Sequence, residues 1–462
     1  MHLRPSRSRA QRPRPASPHA VPRLAAAAAA VMIGTFGLSV PVAAADDDDL
    51  ATVHAALETP PNFDDTEGGD ADADDPAIWN HPADRRADLI VGTLKQGGLA
   101  VFDARGRQLQ HVPAPPGPRP GDESGRFNNV DIVYGFPVGG KKVDIAVTSD
   151  RGRDIIRTYA IDAAAAKRHT APLTEITDPA AAAAFSASLD EINDQRTAYG
   201  LATWTGSGGA TYVAVSRRHT TRVGVFRLVA TAAGTVTYRP VRTLDLPASF
   251  PLPGGGSWRP CGDPGEDPQV EGMVADPEHG VLYAGQEDVG IWRIPLDGGT
   301  PRLTERVKEY GVPATYDPET DECVPSGPDP GVGGDHLTAD VEGLTIYRKD
   351  DGEGYLLASS QGDNTFAAYD REGSNRFLGR FRVGPSAAID GSEECDGAMV
   401  TSAPVGGFAK GLLVVQDGAN TPDVVDGNGE VRTNTNFKLV PWEDVADPLD
   451  LDVDPDDWDP RD

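Results

Sequence analysis

The fold is decided by the stretch Asp340-Val-Glu-Gly-Leu-Thr-Ile-Tyr347 and, after a polar break, Tyr355-Leu-Leu-Ala-Ser-Ser-Gln-Gly-Asp-Asn-Thr-Phe-Ala-Ala-Tyr-Asp370. The first run is short, apolar and β-prone, and it begins with two carboxylates. The second consists of two β-prone runs joined by a tight Gln-Gly-Asp-Asn turn. Short runs bounded by Gly, Asn and Asp are typical of strands and hairpins. The stretch therefore predicts at least three antiparallel strands.

The same unit recurs six times along the chain. The leading runs are Asp75–Trp79, Val130–Tyr134, Tyr199–Trp204, Glu271–Ala275, Glu342–Tyr347 and Asp396–Val400, and the polar turn residues that follow them are Lys95, Arg151, Arg218, Glu287, Gln361 and Asp417. The separation from the head of each run (Asp131 in the second copy) to its turn residue is 16 to 21 residues. Repeats of β-strands at this length are typical of propellers. We therefore predict an all-β fold, a six-bladed β-propeller with antiparallel blades of four to five strands.

This repeat gives the polar residues a common location. In a meander, the start of the first strand and the turn between the second and third strands lie at the same end of the sheet. The first strand of a propeller blade lines the central channel. The run heads and turn residues should therefore converge around one mouth that mixes carboxylates with Lys and Arg. The alternative is that the polar turns are merely solvated.

The N-terminal 45 residues have the pattern of a secretory signal. Six Arg are followed by the apolar, Ala-rich segment Leu24–Val42 and by the small residues Ala43–Ala45. We predict a signal peptide over residues 1–45, cleaved after Ala45, and a secreted mature protein. The remaining chain is predicted as a disordered acidic start over 46–57, one propeller domain over 58–446 and a disordered acidic tail over 447–462.

Charge excludes several classes of partner. Removal of the six Arg of the leader changes the formal net charge from −29 to −35. Such a chain should not bind nucleic acid or anionic membranes. Many carboxylates with few His and Cys are typical of a protein that binds Ca²⁺ or Mg²⁺. A closed propeller leaves few free sheet edges, so we expect a monomer.

Two further features can be read locally. Cys261 and Cys323 lie in Gly/Pro-rich loops that should rise on the same face, which predicts a disulfide between them and leaves Cys395 as a free thiol. The Ala-rich segment Ala180–Ile192, preceded by Asp178 and Pro179, predicts one short helix.

Carboxylates, rather than a nucleophile motif, carry the predicted chemistry. The sequence lacks the Gly-x-Ser-x-Gly, phosphate-loop and His-Glu-x-x-His patterns. Carboxylates at corresponding places in the repeats are Asp72, Asp74, Asp75, Glu271, Glu287, Asp340, Glu342, Asp390 and Asp396. Around one mouth they would repel each other unless cations lay between them. Metal ions beside Lys95, Arg151 and Arg218 suit transfer of a phosphoryl group to water.

At these motifs the sequence resembles a known family. The matching segments are Asp74–Trp79, Gly98–Phe102, Asn128–Ile132, Glu271–Asp276, Asp340–Tyr347, Gly354–Gly362, Gln416–Gly418 and Asn436–Trp442, and they resemble the β-propeller phytases in the same order. The resemblance implies a calcium-dependent phosphatase that removes phosphates from inositol hexakisphosphate, preferring the calcium salt, by attack of a calcium-bound water.

The resemblance also implies individual roles. Ligands of catalytic calcium ions, or of the bridging water, would be Asp74, Glu271, Glu287, Asp340, Glu342, Gln361 and Asp396. Substrate phosphate would be bound by Lys95, Arg151, Tyr199 and Arg218. Structural calcium sites would use Asp75 with the carbonyls of Pro76 and Val130, and Asp390 with Asp417. Arg218 and Gln96 depart from the family, which has Lys at both positions, and the Cys-bearing loops are longer than usual.

Two other functions fit part of the pattern. A calcium propeller could act on sugar lactones or on other phosphoesters, although a lactone offers no charge for the Lys/Arg set to bind. A non-catalytic propeller could use the same face for a protein partner, which predicts calcium-stabilised folding without turnover.

Overall fold

Six sheets follow one another along the chain, each built mainly from consecutive antiparallel strands. The computed structural model describes residues 50–65, 72–320, 322–453 and 458–461, and the predicted signal peptide lies outside them. The first strands of the sheets contact one another in a closed cycle, from the first sheet to the sixth and back to the first. This arrangement confirms the predicted all-β, six-bladed propeller.

The first three blades each have four strands. Blade 1 comprises Pro76–Trp79, Leu89–Thr93, Leu99–Asp103 and Gln108–Val112. Blade 2 comprises Phe127–Val138, Lys141–Asp150, Ile155–Ile161 and Leu173–Glu175. Blade 3 comprises Ala198–Thr205, Thr211–Arg217, Arg222–Ala230 and Val236–Asp245. The two middle strands of blade 1 are buried at every residue, because a neighbouring blade packs on each of its faces.

The last three blades complete the ring. Blade 4 comprises Val270–Asp276, Val281–Gln286, Gly290–Pro295 and Arg302–Arg306. Blade 5 comprises Val341–Arg348, Gly354–Ser360, Thr365–Asp370 and Phe377–Gly384, and blade 6 comprises Ala398–Thr401, Leu412–Asp417 and Asn434–Pro441. Short hairpins outside the blades are Phe250–Pro251 with Ser257–Trp258, Ala314–Asp317 with Glu322–Pro325, and Val424–Val425 with Val431–Arg432.

Strands from the N-terminal segment close the ring. Leu57–Glu58 and Asn62–Phe63 pair antiparallel with the last strand of blade 6. Leu50–His54 adds to the outer edge of blade 5 and runs parallel to its fourth strand. The prediction of a disordered start over 46–57 is therefore wrong from residue 50 onward, and the domain begins earlier than residue 58. The pairing satisfies the backbone groups of two strand edges that would otherwise be exposed.

The acidic C-terminal segment is also packed. A helix over Trp442–Ala446 is followed by a 3₁₀ turn over Asp447–Leu449. Leu449, Leu451 and Val453 then pack against the core between blades 5 and 6. Arg461 forms an ion pair of 2.8 Å with Asp144. The prediction of a disordered tail over 447–462 is thus wrong for its described residues, because alternate apolar residues among the acids bury against the propeller.

The predicted helix over Ala180–Ile192 is wrong for most of its length. The helix covers only Leu189–Asn193 and is capped by the Ser188 side chain. Upstream, the buried Asp154 carboxylate accepts hydrogen bonds from the backbone amides of Phe185 and Ser186. These bonds give the amides a partner outside the helix, so the Ala-rich segment follows an irregular path. Another five-residue helix, Ala163–Lys167, lies in blade 2 before its last strand.

The cysteines are arranged as predicted. A disulfide joins Cys261 to Cys323, with their Cα atoms 5.9 Å apart, and Cys395 is a buried free thiol. The bridge ties the loop before blade 4 to the loop before blade 5. Within the described residues, no helix is both long and apolar enough to span a lipid bilayer.

Candidate active site

The site begins at an irregularity shared by four blades. In blades 2 to 5 the pairing register slips near the start of the first strand, so that one extra residue is accommodated. The slips fall at Asn128-Asn129, Tyr199-Gly200, Glu271-Gly272 and Glu342-Gly343. A β-bulge re-aims the side chain at the slip. The bulges therefore set the direction of a polar side chain at the same level in successive blades.

In blades 3 to 5 a glycine follows the polar residue, because neighbouring blades touch there through their backbones. A Cβ atom on Gly200 would lie 1.9 Å from the carbonyl oxygen of Glu271, and one on Gly272 would lie 1.8 Å from that of Glu342. No real side chain tolerates such a distance. The polar residues of adjacent blades are consequently held close together, and Gly397 makes the equivalent approach to blade 1.

Three glutamates form the centre of the site. One carboxylate oxygen from each of Glu271, Glu287 and Glu342 lies within 4.8 Å of the others, and the residues are 5%, 8% and 4% exposed. Burial, followed by repulsion from Glu271, raises the pKa values of Glu287 and Glu342 well above their usual range. Glu287 Oε1 and Glu342 Oε2 find no hydrogen-bond partner among the residues that the structure describes. Such oxygens are costly to bury without a cation.

A second acidic group lies beside the glutamates. Neither carboxylate oxygen of the buried Asp74 has a hydrogen-bond partner in the described part of the chain, and burial raises its pKa well above the usual range. Asp396 accepts a hydrogen bond of 2.6 Å from Gln361 and forms an ion pair of 3.1 Å with Lys95. Burial, together with repulsion from the charges of Glu271 and Asp396, raises the pKa of Asp340 to about 6.

The basic residues lie against this acidic group. The Arg151 guanidinium lies over the Tyr199 ring, 5.4 Å from its centroid, and the Tyr199 hydroxyl donates to Glu271 Oε2 at 2.5 Å. Burial, with the charges of Arg126 and Arg218, lowers the pKa of Arg151 to about 9. Cations repel one another here, as the acids do nearby. An anion bound between these Arg side chains would relieve that repulsion.

Asp75, Pro76 and Val130 line the central cavity, which has a volume of about 440 Å³. The Val130 amide donates to Asp75 Oδ2 at 2.9 Å, and Val130 also meets its strand partner Thr148. Burial raises the pKa of Asp75 well above its usual range. These three residues are thus brought together as the sequence suggested.

Asp390 and Asp417 are brought together by a lysine. The fully buried ammonium group of Lys438 forms ion pairs with Asp390, with Asp417 at 3.1 Å and with Glu58 at 2.8 Å. It also donates to Asn420 Oδ1 at 2.8 Å. A cation from the chain itself therefore offsets the acidic charge, unlike at the three glutamates, so this pair fits a calcium ion less well.

Some residues at the site were not anticipated from the sequence. Asn128 connects Arg151 to Glu271 through its amide group. Arg126 donates to the side chain of Gln96, the residue that departs from the family pattern. The sequence signals for Asn128 were its position just before the second leading run and its place in the segment Asn128–Ile132 that resembles the family, and neither indicated its partners. The role of Arg126 could not be predicted from the sequence, because its proximity to Gln96 depends on the contact between blades 1 and 2.

Comparison with known proteins agrees with this geometry. The family model described as Phytase matches residues 22–250 and 266–462. The chain belongs to the phytase family. A 3-phytase of Bacillus subtilis (strain 168) is 33% identical to this phytase-family chain over 432 residues, 92% of the chain and 93% of the relative. Membership makes the protein a phosphoric monoester hydrolase.

Solved structures resemble this phytase-family chain only loosely. A protein of unknown function from Bacteroides thetaiotaomicron is 11% identical, with coverage of 85% of this chain and 76% of that chain and a TM-score of 0.41. A chain of the mitotic checkpoint complex is 10% identical, with coverage of 89% and 98% and a TM-score of 0.37. Neither likeness is close enough to bear on function.

Proposed function

We propose that the protein is a secreted, calcium-dependent phytase that hydrolyses phosphomonoesters of inositol hexakisphosphate supplied as its calcium salt. The observation that carries the proposal is the contact between two groups of opposite charge. Buried carboxylate oxygens without hydrogen-bond partners in the described chain lie on one side, on Asp74, Glu287 and Glu342. On the other side, Arg151 contacts Tyr199, which in turn donates to Glu271.

The acidic side fits calcium by the chemistry of its donors. All the donor atoms are oxygens, which hard divalent cations prefer, and none belongs to Cys or His. The ions would be held by Asp74, Glu271, Glu287, Asp340, Glu342, Gln361 and Asp396. Bound calcium would neutralise the carboxylates and lower the pKa of water at the site. Asp75, with the carbonyls of Pro76 and Val130, would hold a structural ion, and Asp390 with Asp417 would hold another only if Lys438 moved.

The basic side would hold the substrate. Arg151 and Arg218 can each donate two parallel hydrogen bonds to phosphate oxygens, and Lys95 adds a point charge. Tyr199 would orient Glu271 through their hydrogen bond of 2.5 Å. Three cationic side chains favour a multiply phosphorylated ester over an uncharged lactone. The site therefore supports the phytase reaction better than the alternative hydrolase activities.

The proposal is tested by phosphate release from calcium phytate, with and without EDTA. Glu271→Gln and Arg151→Ala should each lower kcat/KM by about 10²- to 10³-fold, the typical loss when one preorganised charged group is removed. Arg239→Ala, at an exposed position on the outer strand of blade 3, serves as the matched control. Folded wild-type protein that releases no phosphate from calcium phytate would overturn the proposal.

Secretion and a monomeric state belong to the same proposal. They are supported by the signal-like residues 1–45 and by the closure of the sheet edges by the N-terminal strands. N-terminal sequencing of protein recovered from the culture medium should begin at Asp46. Light scattering should give the mass of one chain, and protein retained inside the cells with residues 1–45 attached would contradict secretion.

A further inference from the structure

Asn128 lies between the basic and acidic halves of the site. It is fully buried, with no exposed surface. Its Nδ2 donates to Glu271 Oε1 at 2.5 Å, and its Oδ1 accepts a hydrogen bond of 3.0 Å from Arg151. The other Nδ2 hydrogen goes to Asn129 Oδ1 at 2.9 Å. One amide group thus contacts both a residue of the basic side and a residue of the acidic side.

An amide side chain suits both contacts at this position, whereas a charged or an apolar side chain does not. Arg151 Nη1 donates and so requires an acceptor, Glu271 Oε1 accepts and so requires a donor, and a carboxamide presents one of each in a fixed plane. A carboxylate in its place would face Glu271 with a like charge, and an apolar side chain would leave both partners unsatisfied in a buried position.

A second connection runs parallel to the first. The Tyr199 hydroxyl donates to Glu271 Oε2, the other oxygen of the same carboxylate, at 2.5 Å, and the Tyr199 ring lies under the Arg151 guanidinium. Arg151, Asn128, Glu271 and Tyr199 therefore form a closed loop of contacts. With Glu271 held at both oxygens, its carboxylate plane and the Arg151 fork are fixed relative to each other.

We propose that Asn128 is a positioning residue that holds the phosphate-binding Arg151 in register with the metal-binding Glu271. This inference rests on the proposed function, which assigns those roles to Arg151 and Glu271. Loss of the amide would leave Lys95 and Arg218 to bind phosphate but would free Arg151 to turn away. The change would therefore appear mainly in kcat and only weakly in KM.

The first test separates positioning from stability. Asn128→Ala should lower kcat by about 10- to 100-fold, as loss of residues that orient metal ligands does, with a KM change of less than about threefold. Calorimetric titration with calcium, without substrate, should show weaker binding by about tenfold. The matched control is Asn375→Ala, a buried amide of blade 5 that donates to Tyr283 and the Asp370 carbonyl. It should lower the thermal unfolding temperature without changing kcat or calcium affinity.

The second test asks whether Asn128 acts through Arg151. If it does, Asn128→Ala should cause little further loss of kcat at saturating calcium in an Arg151→Ala background, because the group being positioned is already gone. Full additivity of the two losses, or unchanged calcium affinity, would overturn the inference. Wild-type protein inactive on calcium phytate would instead contradict the proposed function, and the calcium titration would still test Asn128.

Discussion

Lys438 is a buried cation surrounded by three carboxylates, on Glu58, Asp390 and Asp417. Lys438 lies in the last strand of blade 6, where it pairs across the strands with Glu58 of the N-terminal strand Leu57–Glu58. Burial alone would lower the pKa of Lys438, but the surrounding carboxylates outweigh it and raise the pKa. The lysine therefore remains charged and links the strand Leu57–Glu58 to the last strand of blade 6, where the ring closes.

We expect Lys438→Met to destabilise calcium-free protein by about 3–5 kcal/mol, because it leaves buried carboxylates without their partner. Added calcium should restore more of the unfolding temperature in this variant than in the wild type, since the ion could replace the ammonium group. Differential scanning calorimetry with EDTA and with calcium measures both effects. Lys410→Met, at an exposed position, is the control. A variant that unfolds at the wild-type temperature in EDTA would contradict this account.

At the scale of single residues, the sequence predicted positions better than partners. Glu271, Glu287 and Glu342 could be located because they recur at a nearly constant offset, and the offset fixes the level within a blade. The contact of Lys438 with Asp390 could not be predicted, because it depends on the path of a loop. The role of Asn128 was hidden for a related reason, since its partners come from the turn of its own blade and from blade 4.

The bulge-and-glycine pair at the start of the first strand is the element that places the site. Its second residue is Gly200, Gly272 or Gly343 in blades 3 to 5, where a Cβ atom would enter the backbone of the next blade. The polar residue of one blade is thus spaced from that of the next by backbone contact rather than by side-chain packing. Backbone contact is stiff, so the distances among the carboxylates should be insensitive to changes in the outer strands.

Gly272→Ala tests this element. The added methyl group would meet the Glu342 carbonyl oxygen, which cannot move without shifting blade 5, so we expect a loss of at least about 1–3 kcal/mol. Calcium affinity should also fall, because Glu271 and Glu342 would separate. Urea unfolding and calcium titration are the measurements. Gly208→Ala, in an exposed turn of blade 3 with open space around it, should be nearly neutral. Equal stability of the two variants would exclude the close approach.

Edge strands show where sequence reasoning failed at the scale of elements. The blade strands are predictable because each run is apolar, short and bounded by turn residues. Leu50–His54 follows an acidic run and lacks such boundaries, and its strand forms only because the fourth strand of blade 5 presents an unpaired edge. The Ala-rich segment near Phe185 failed for the opposite reason, since the buried Asp154 draws its amides away from a helix.

At the scale of the whole molecule, the carboxylates at the ring closure and the carboxylates at the central glutamates differ in how their negative charge is offset. Where the ring closes, Lys438 offsets the acids, and the described chain supplies few such cations to the central glutamates. Burial raises the pKa values of Asp74, Glu287 and Glu342 well above their usual range. In calcium-free protein the folded state therefore binds more protons at these groups than the unfolded state does. Folding stability must then fall as the pH rises from the ordinary carboxylate pKa, about 4, toward the raised values.

Calcium should remove this dependence, because the ions would replace the protons that the carboxylates otherwise need. We expect the difference in unfolding temperature between calcium-loaded and EDTA-treated protein to grow steadily between pH 5 and pH 8. Other buried carboxylates, such as Asp88, whose pKa burial raises to about 7, affect both samples and cancel in the difference. In the double variant Glu287→Gln/Glu342→Gln, the calcium-free protein should be more stable at pH 8 than the wild type. A calcium effect that is constant from pH 5 to pH 8 would mean that the acidic ring is not what calcium stabilises.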